Sequence, residues 1–232
     1  LSSIAIGDGS GGNQVAYGIA IGKNAGLSQS VMGVAIGYNA GVSQDANAIA
    51  IGNAAGGDLA GTQGEGATAI GGGAGETNQG NYSVAIGGDA GKTTQGTRGV
   101  AIGNLAGQTT QGEKSVAIGF EAGKTTQGVN AISIGNLAGN TSQGSSGIAL
   151  GYGSGKTSQG ANAISIGYTA GSTTQGIDSI ALGNLAGQSS QGAGAIAIGA
   201  GAGKLNQVAN AIAIGKNAGG GDTQDTASII LN

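Results

Sequence analysis

A five-residue phrase, small-aliphatic-small-aliphatic-glycine, returns from one end of the chain to the other, and its spacing is what most limits the fold. In Ser83-Val84-Ala85-Ile86-Gly87 the last aliphatic is Ile86. From Ile70 that position recurs every 16 residues, at Ile86, Ile102, Ile118, Ile134, Leu150, Ile166, Leu182, Ile198 and Ile214, each followed by glycine. Before Ile70 the step is 15, at Ile6, Ile21, Ile36 and Ile51, and one step of 19 joins Ile51 to Ile70. A strict short period marks a solenoid, in which each repeat is one supersecondary unit that buries its apolar side only against its neighbours. The chain therefore reads as one β-solenoid array over 1–232: 15-residue repeats in 1–55, an enlarged turn in 56–69, 16-residue repeats in 70–218 and a terminal partial repeat in 219–232.

Written once, the repeat runs from Ser115 to Asn130. Val116 and Ile118 lie two apart, so in an extended chain they share one face while Ser115, Ala117 and Gly119 share the other, and β-branched residues favour that state. Gly119 to Gly123 reads as a turn with glycine at both ends, where a positive φ or a close backbone approach is needed. Lys124-Thr125-Thr126-Gln127 reads as a second strand, and Gly128 turns the chain back. A helix fails as an alternative, because glycine every four or five residues costs about 1 kcal/mol each relative to alanine. The expected class is all-β, a parallel β-solenoid of about 14 coils, with coils about 4.7 to 4.9 Å apart.

Stacked coils place equivalent residues in ladders. One runs through Ile86, Ile102, Ile118 and Ile134, another through Gln95, Gln111, Gln127 and Gln143, whose amides are placed to bond along the axis. A hydroxyl row runs through Thr93, Thr109, Thr125, Thr141, Thr157, Thr173 and Ser189. Two large aliphatics per coil are little to set against the entropy of ordering a whole repeat, so the coils are expected to bury more surface against copies of the chain. Two facings are open. Either Val and Ile fill the coil and a small Ala/Ser row lets neighbouring chains approach, or the aliphatics point outward and line an axis between chains.

Composition narrows the function. Of 232 residues 54 are glycine and none is proline, cysteine or histidine, which excludes collagen, disulfide scaffolds and the usual histidine and cysteine catalysts. The 11 carboxylates are scattered, so no enzyme, cofactor or metal site is expected. Asp8, and Asp222 with Asp225, lack calcium-loop spacing and read as turn residues. Charged residues make up 8 % of the chain and the net charge is −3, which leaves no basic footprint for nucleic acid. No apolar run approaches the roughly 20 residues that cross a bilayer. The chain opens inside a repeat at Leu1-Ser2-Ser3-Ile4, so a segment of something longer is expected. Tyr38, Phe120, Tyr152 and Tyr168 all follow the phrase glycine, where a turn exposes them as candidate contact residues or as shields for neighbouring coils.

Ser83-Val84-Ala85-Ile86-Gly87, Ser115-Val116-Ala117-Ile118-Gly119 and Ala211-Ile212-Ala213-Ile214-Gly215 resemble the head repeats of trimeric autotransporter adhesins, the YadA-like heads. The resemblance implies a left-handed parallel β-roll, a homotrimeric fibre and a role in surface attachment. The added Ala-Gly-x-Thr-Thr-Gln-Gly phrase lengthens the repeat beyond that of those heads and is similar to repeats in fibre proteins of large algal viruses and phages. Ala227 to Asn232 resembles the segment that leads towards a C-terminal trimerising chaperone domain, with Asn232 where glycine is expected. The expected function is a structural or adhesive module of an extracellular fibre on a virion, phage or bacterial surface. It attaches to glycans or a host receptor, or acts as a rigid spacer. The alternative is an ice-binding solenoid that uses the hydroxyl row. That alternative is weakened by Leu205 in the row and by the expectation that Thr125 and Thr126 face opposite ways.

Overall fold

Alternation of β-branched and small residues gives each coil a three-residue strand, and the glycine that follows ends it. A computed structural model describes residues 2–57, 61–221 and 224–232. Two units, Leu1–Ser115 and Val116–Asn232, share one construction and are described separately. In the first, Val84–Ile86 pairs in parallel with Thr68–Ile70 and Val100–Ile102, so that Ile86 lies opposite both Ile70 and Ile102. In the second, Ile132–Ile134 pairs in the same way with Val116–Ile118 and Ile148–Leu150, with Ile134 opposite Ile118 and Leu150. Each unit is an all-β parallel solenoid, and among the described residues there is no helix.

The second strand of each coil is shorter than the sequence suggests. Only Thr126–Gln127 is extended, paired with Ser142–Gln143, while Lys124 and Thr125 belong to the bend before it. This overturns the expectation that Thr125 and Thr126 face opposite sides. The period-two alternation covers Thr126 and Gln127 alone, and Thr125 and Thr126 are both exposed. The first unit repeats the arrangement in Thr94–Gln95, paired with Asn78–Gln79 and Thr110–Gln111. The enlarged turn expected over 56–69 contains the second strand of its own coil, Thr62–Gln63, in register with Asn78–Gln79. Asp58, Leu59 and Ala60 of that turn, like Leu1, Asp222 and Thr223, lie outside the described residues.

The facing left open by the sequence is decided by burial. Ala85, Ala101, Ala117, Ala149 and Ala181 are 0 % exposed, whereas the aliphatics on either side of each alanine stay partly in solvent, Ile134 at 41 % and Leu182 at 40 %. Val and Ile therefore do not fill the coil. The reason is space: a Cβ added at Gly107 would lie 2.8 Å from Oε1 of Gln111 and 3.3 Å from Cβ of Ala101. An interior this close favours alanine or serine over a branched side chain.

The largest buried side chains are glutamines. Gln95 Nε2 donates to the Val84 carbonyl at 2.8 Å and to the Gly99 carbonyl at 3.2 Å, and Gln127 Nε2 does the same to Val116 and Ala131 at 2.8 and 3.4 Å. Each glutamine thus ties its strand across the core to the other strand. Some also bond along the ladder, Gln127 to Gln143 at 3.2 Å and Gln143 to Gln159 at 3.0 Å. Gln95 and Gln111 do not, and their Oε1 atoms, like that of Gln127, find no partner among the described residues. Where serine replaces the central alanine this gap closes: Ser133 Oγ donates to Gln143 Oε1 at 2.7 Å, and Ser165 Oγ to Gln175 Oε1 at 2.5 Å.

The phrase glycine is required twice over. Gly135 has φ 127°, and a Cβ there would stand 2.7 Å from the carbonyl oxygen of Gly151 in the next coil. Gly135→Ala is expected to destabilise the protein by about 2 kcal/mol or more, read as a lowered midpoint in thermal unfolding by circular dichroism. In the same assay Ala117→Ser, which gives Gln127 Oε1 a donor, is expected to be neutral or stabilising by about 1 kcal/mol, and Ser165→Ala to cost about the same amount.

Candidate functional site

Turning alanine inward turns the aliphatics outward, and stacking lines them up. Val84, Ile86, Val100 and Ile102 form two adjacent apolar columns in the first unit, and Ile132, Ile134, Ile148, Leu150, Ile164 and Ile166 form them in the second. All are partly or fully exposed. A contiguous apolar face of this kind on a folded chain marks an interaction surface.

The aromatics named from the sequence lie where a turn exposes them: Tyr38, Phe120, Tyr152 and Tyr168 are about half in solvent. Tyr152 and Tyr168, one coil apart, stack with ring centroids 5.2 Å apart and planes 10° from parallel. That contact is what shielding of one coil by the next requires. Tyr82, which sequence reasoning missed, is exposed at the opposite turn with φ 57°. Interaction with the Glu65 carboxylate pushes its phenol above the ordinary pKa. Only the register of the repeat, which sets Glu65 beside Tyr82 one coil on, signals this pair.

On the second-strand side two hydroxyl columns run together. Thr125, Thr141, Thr157 and Thr173 stand beside Thr126, Ser142, Ser158 and Thr174, all exposed, the latter column in register. Ser189 pairs with Leu205 at the end of the row. The first unit also holds an open polar cavity of about 320 Å³, lined by Asp45, Thr62, Asn78, Asn81, Thr94 and Thr97 over a floor that includes Gly64 and Gly80. Composition gave no hint of it, because its side chains come from four coils.

Charges are few and local. Lys92 lies 3.1 Å from Asp89 and 3.3 Å from Glu76, and its hydrogen bond to Asp89 raises its pKa. Both acids considered as calcium ligands within the described residues serve turns. The Asp8 carbonyl accepts from Asn24 N–H at 2.9 Å and the Asp225 carbonyl from Ser228 N–H at 3.1 Å, while Asp222 lies outside the described residues. Among the described residues no group of three histidines, cysteines or acids is placed to hold a metal ion.

The family model of the YadA head domain repeat matches the sequence in two copies, at residues 31–55 and 158–186. Those two stretches carry YadA-like head repeats. The first matched copy spans Val34-Ala35-Ile36-Gly37 and Ile49-Ala50-Ile51-Gly52 and the second Ile164-Ser165-Ile166-Gly167 and Ile180-Ala181-Leu182-Gly183, so each covers two phrases that build the strand. No curated protein matches the chain. A YadA-like head repeat is a structural unit of adhesin type, and in this chain it carries its aliphatics outward.

The Tyr82 phenol is expected to titrate above the ordinary tyrosine range, and Glu65→Gln to return it there. Alkaline titration followed by the ring resonances in NMR checks both.

Proposed function

We propose that this chain is a segment of an extracellular surface fibre, in which three copies pack their outward aliphatic columns together around a shared axis. The observation that carries the reading is the exposure of two in-register columns of Val, Ile and Leu on a coil whose interior is already full. Burying large aliphatics contributes about 1.5–3 kcal/mol each, so the face has a strong drive to find a partner. An identical chain in register offers the same periodic surface. The YadA-like heads that the repeats resemble form trimers.

The fibre belongs on the outside of a bacterium, virion or phage, and among the described residues no helix is long and apolar enough to cross a membrane. Its exposed second-strand face and turns, with Tyr38, Phe120, Tyr152 and Tyr168, remain outward in such an assembly. They serve attachment to glycans or a receptor through many weak contacts that add by avidity. Where no such contact is made, the module is a spacer that carries a distal binding domain.

A second reading, ice binding, draws support from one observation, the two exposed hydroxyl columns side by side. The fibre reading expects no thermal hysteresis from the purified protein, and clear hysteresis lost on Thr126→Val would favour ice.

Light scattering on the purified chain, carried with its native flanking sequence, tests the assembly. The expected mass is three times the 21.5 kDa of this chain plus its flanks. A paired substitution, Ile118→Asn with Ile134→Asn, is expected to shift the mass towards monomer, while Thr125→Asn on the opposite side leaves it unchanged.

A further inference from the structure

In an array of near-identical coils, positions that depart from the repeat and meet in space are candidates for a specific role. Asp45, Asn78 and Asn81 do both. The residue after the inward glutamine is glycine at Gly64, Gly80 and Gly96, and there the earlier coil carries Asp45. The outward residue of the second strand is Thr62, Thr94 and Thr110 in the neighbouring coils, and between them it is Asn78. These residues line the polar cavity of the first unit.

The cavity is an open polar trough on the second-strand side. Thr62, Asn78 and Thr94 make one wall in strand register, and Asn81 and Thr97 make the other. Between them lie Gly64 and Gly80, where coil stacking leaves no room for a side chain: a Cβ on Gly80 would stand 2.6 Å from Thr97 N of the next coil. Asn81 is held in place, its Oδ1 accepting from Glu65 N–H at 3.2 Å, which leaves its amide N–H groups for a ligand. The volume of about 320 Å³ sits at the lower end of the range of about 300–1,000 Å³ for ligand pockets. All of it lies on the second-strand side, so covering the aliphatic columns does not close it.

The lining also says what fits. Besides the inward glutamines Gln79 and Gln95 it mixes a carboxylate, two asparagine amides and three hydroxyls, and holds no lysine, arginine or large aliphatic side chain. Vicinal hydroxyls of a sugar each donate and accept, and a carboxylate beside amides and threonines answers both. A sulfate, phosphate or sialic acid carboxylate would meet Asp45 with no cation to offset it. We infer that this cavity is a binding site for one unit of a neutral saccharide, with Asp45, Asn78 and Asn81 as its polar contacts. The inference rests on the surface-fibre reading for its biological setting, but the site stands or falls by itself.

The test uses the full chain, labelled with ¹⁵N, titrated with the methyl glycosides of glucose, galactose, mannose and N-acetylglucosamine, and with sialyllactose. At least one neutral glycoside is expected to shift the side-chain amide signals of Asn78 and Asn81, with a dissociation constant of about the millimolar order. Asn78→Thr and Asp45→Ser restore residues that the same columns carry in neighbouring coils, at Thr94 and Ser30, so both variants keep the fold. Each is expected to weaken binding about tenfold or more. The assignment is overturned by amides that none of the neutral glycosides moves, by equal binding of sialyllactose, or by shifts confined to the signals of Tyr152 and Tyr168. The fibre reading survives any of these results, since it is tested separately by the mass in light scattering.

Discussion

The whole arrangement follows from a coil too thin to hold a branched side chain. Strand one and strand two approach closely enough that alanine fills the space between them, and at Gly107 a single extra carbon would collide with both the alanine and the glutamine. Once the interior is spoken for, the Val, Ile and Leu that flank the central residue of strand one face out; in the last strand Ile230 takes the central place and packs against the buried alanines. The fold thus carries an inverted distribution. Glutamines are buried, alanines form the core, and the most hydrophobic residues make a surface. Such a coil cannot gain much from burial within itself, so its hydrogen bonds carry more of the burden, and the glutamine amides that bridge the two strands are the core's polar frame.

That frame is incomplete in some coils only: the alanine coils of Gln159 and Gln207 fill the glutamine oxygen from the ladder, at 3.0 and 3.1 Å, and others leave it open. Where alanine sits at the centre of strand one, the glutamine oxygen is left without a donor at Gln95, Gln111 and Gln127. At Ser133 and Ser165 a hydroxyl supplies it. The array therefore tolerates two solutions to the same packing problem. The serine coils satisfy polar groups, and the alanine coils avoid burying a further hydroxyl. The phrase that looks like mere low complexity encodes this choice coil by coil.

Much of this was legible beforehand. The period placed the strand at Val116 to Ile118, and the glycine after it was needed for the turn, as φ 124° at Gly119 requires. The ladders through Ile86 and Ile102, and through Gln95 and Gln111, stack as the spacing implies. The facing was not legible, because alternation says only that Val and Ala lie on opposite sides. Which side is inside depends on the distance between strands, a tertiary quantity. Thr125 misled for a local reason: alternation was extended to a residue that lies in a bend. The polar cavity escaped because Asp45 and Thr97 are far apart in the chain and meet only through a register that spans the irregular 19-residue step.

Because the chain has no cysteine, introduced thiols report facing and neighbours without interference. The most direct trial of the central claim is therefore Ile118→Cys against Ala117→Cys, each exposed to a mild oxidant and then to a thiol-reactive label on the intact assembly. The account predicts that Ile118→Cys links chains into disulfide-bonded dimers, and that Ala117→Cys stays unlinked and unlabelled until the protein is unfolded. A labelled Ala117→Cys beside an unlinked, inert Ile118→Cys would mean that the aliphatics lie inside the coil, and the account would be wrong.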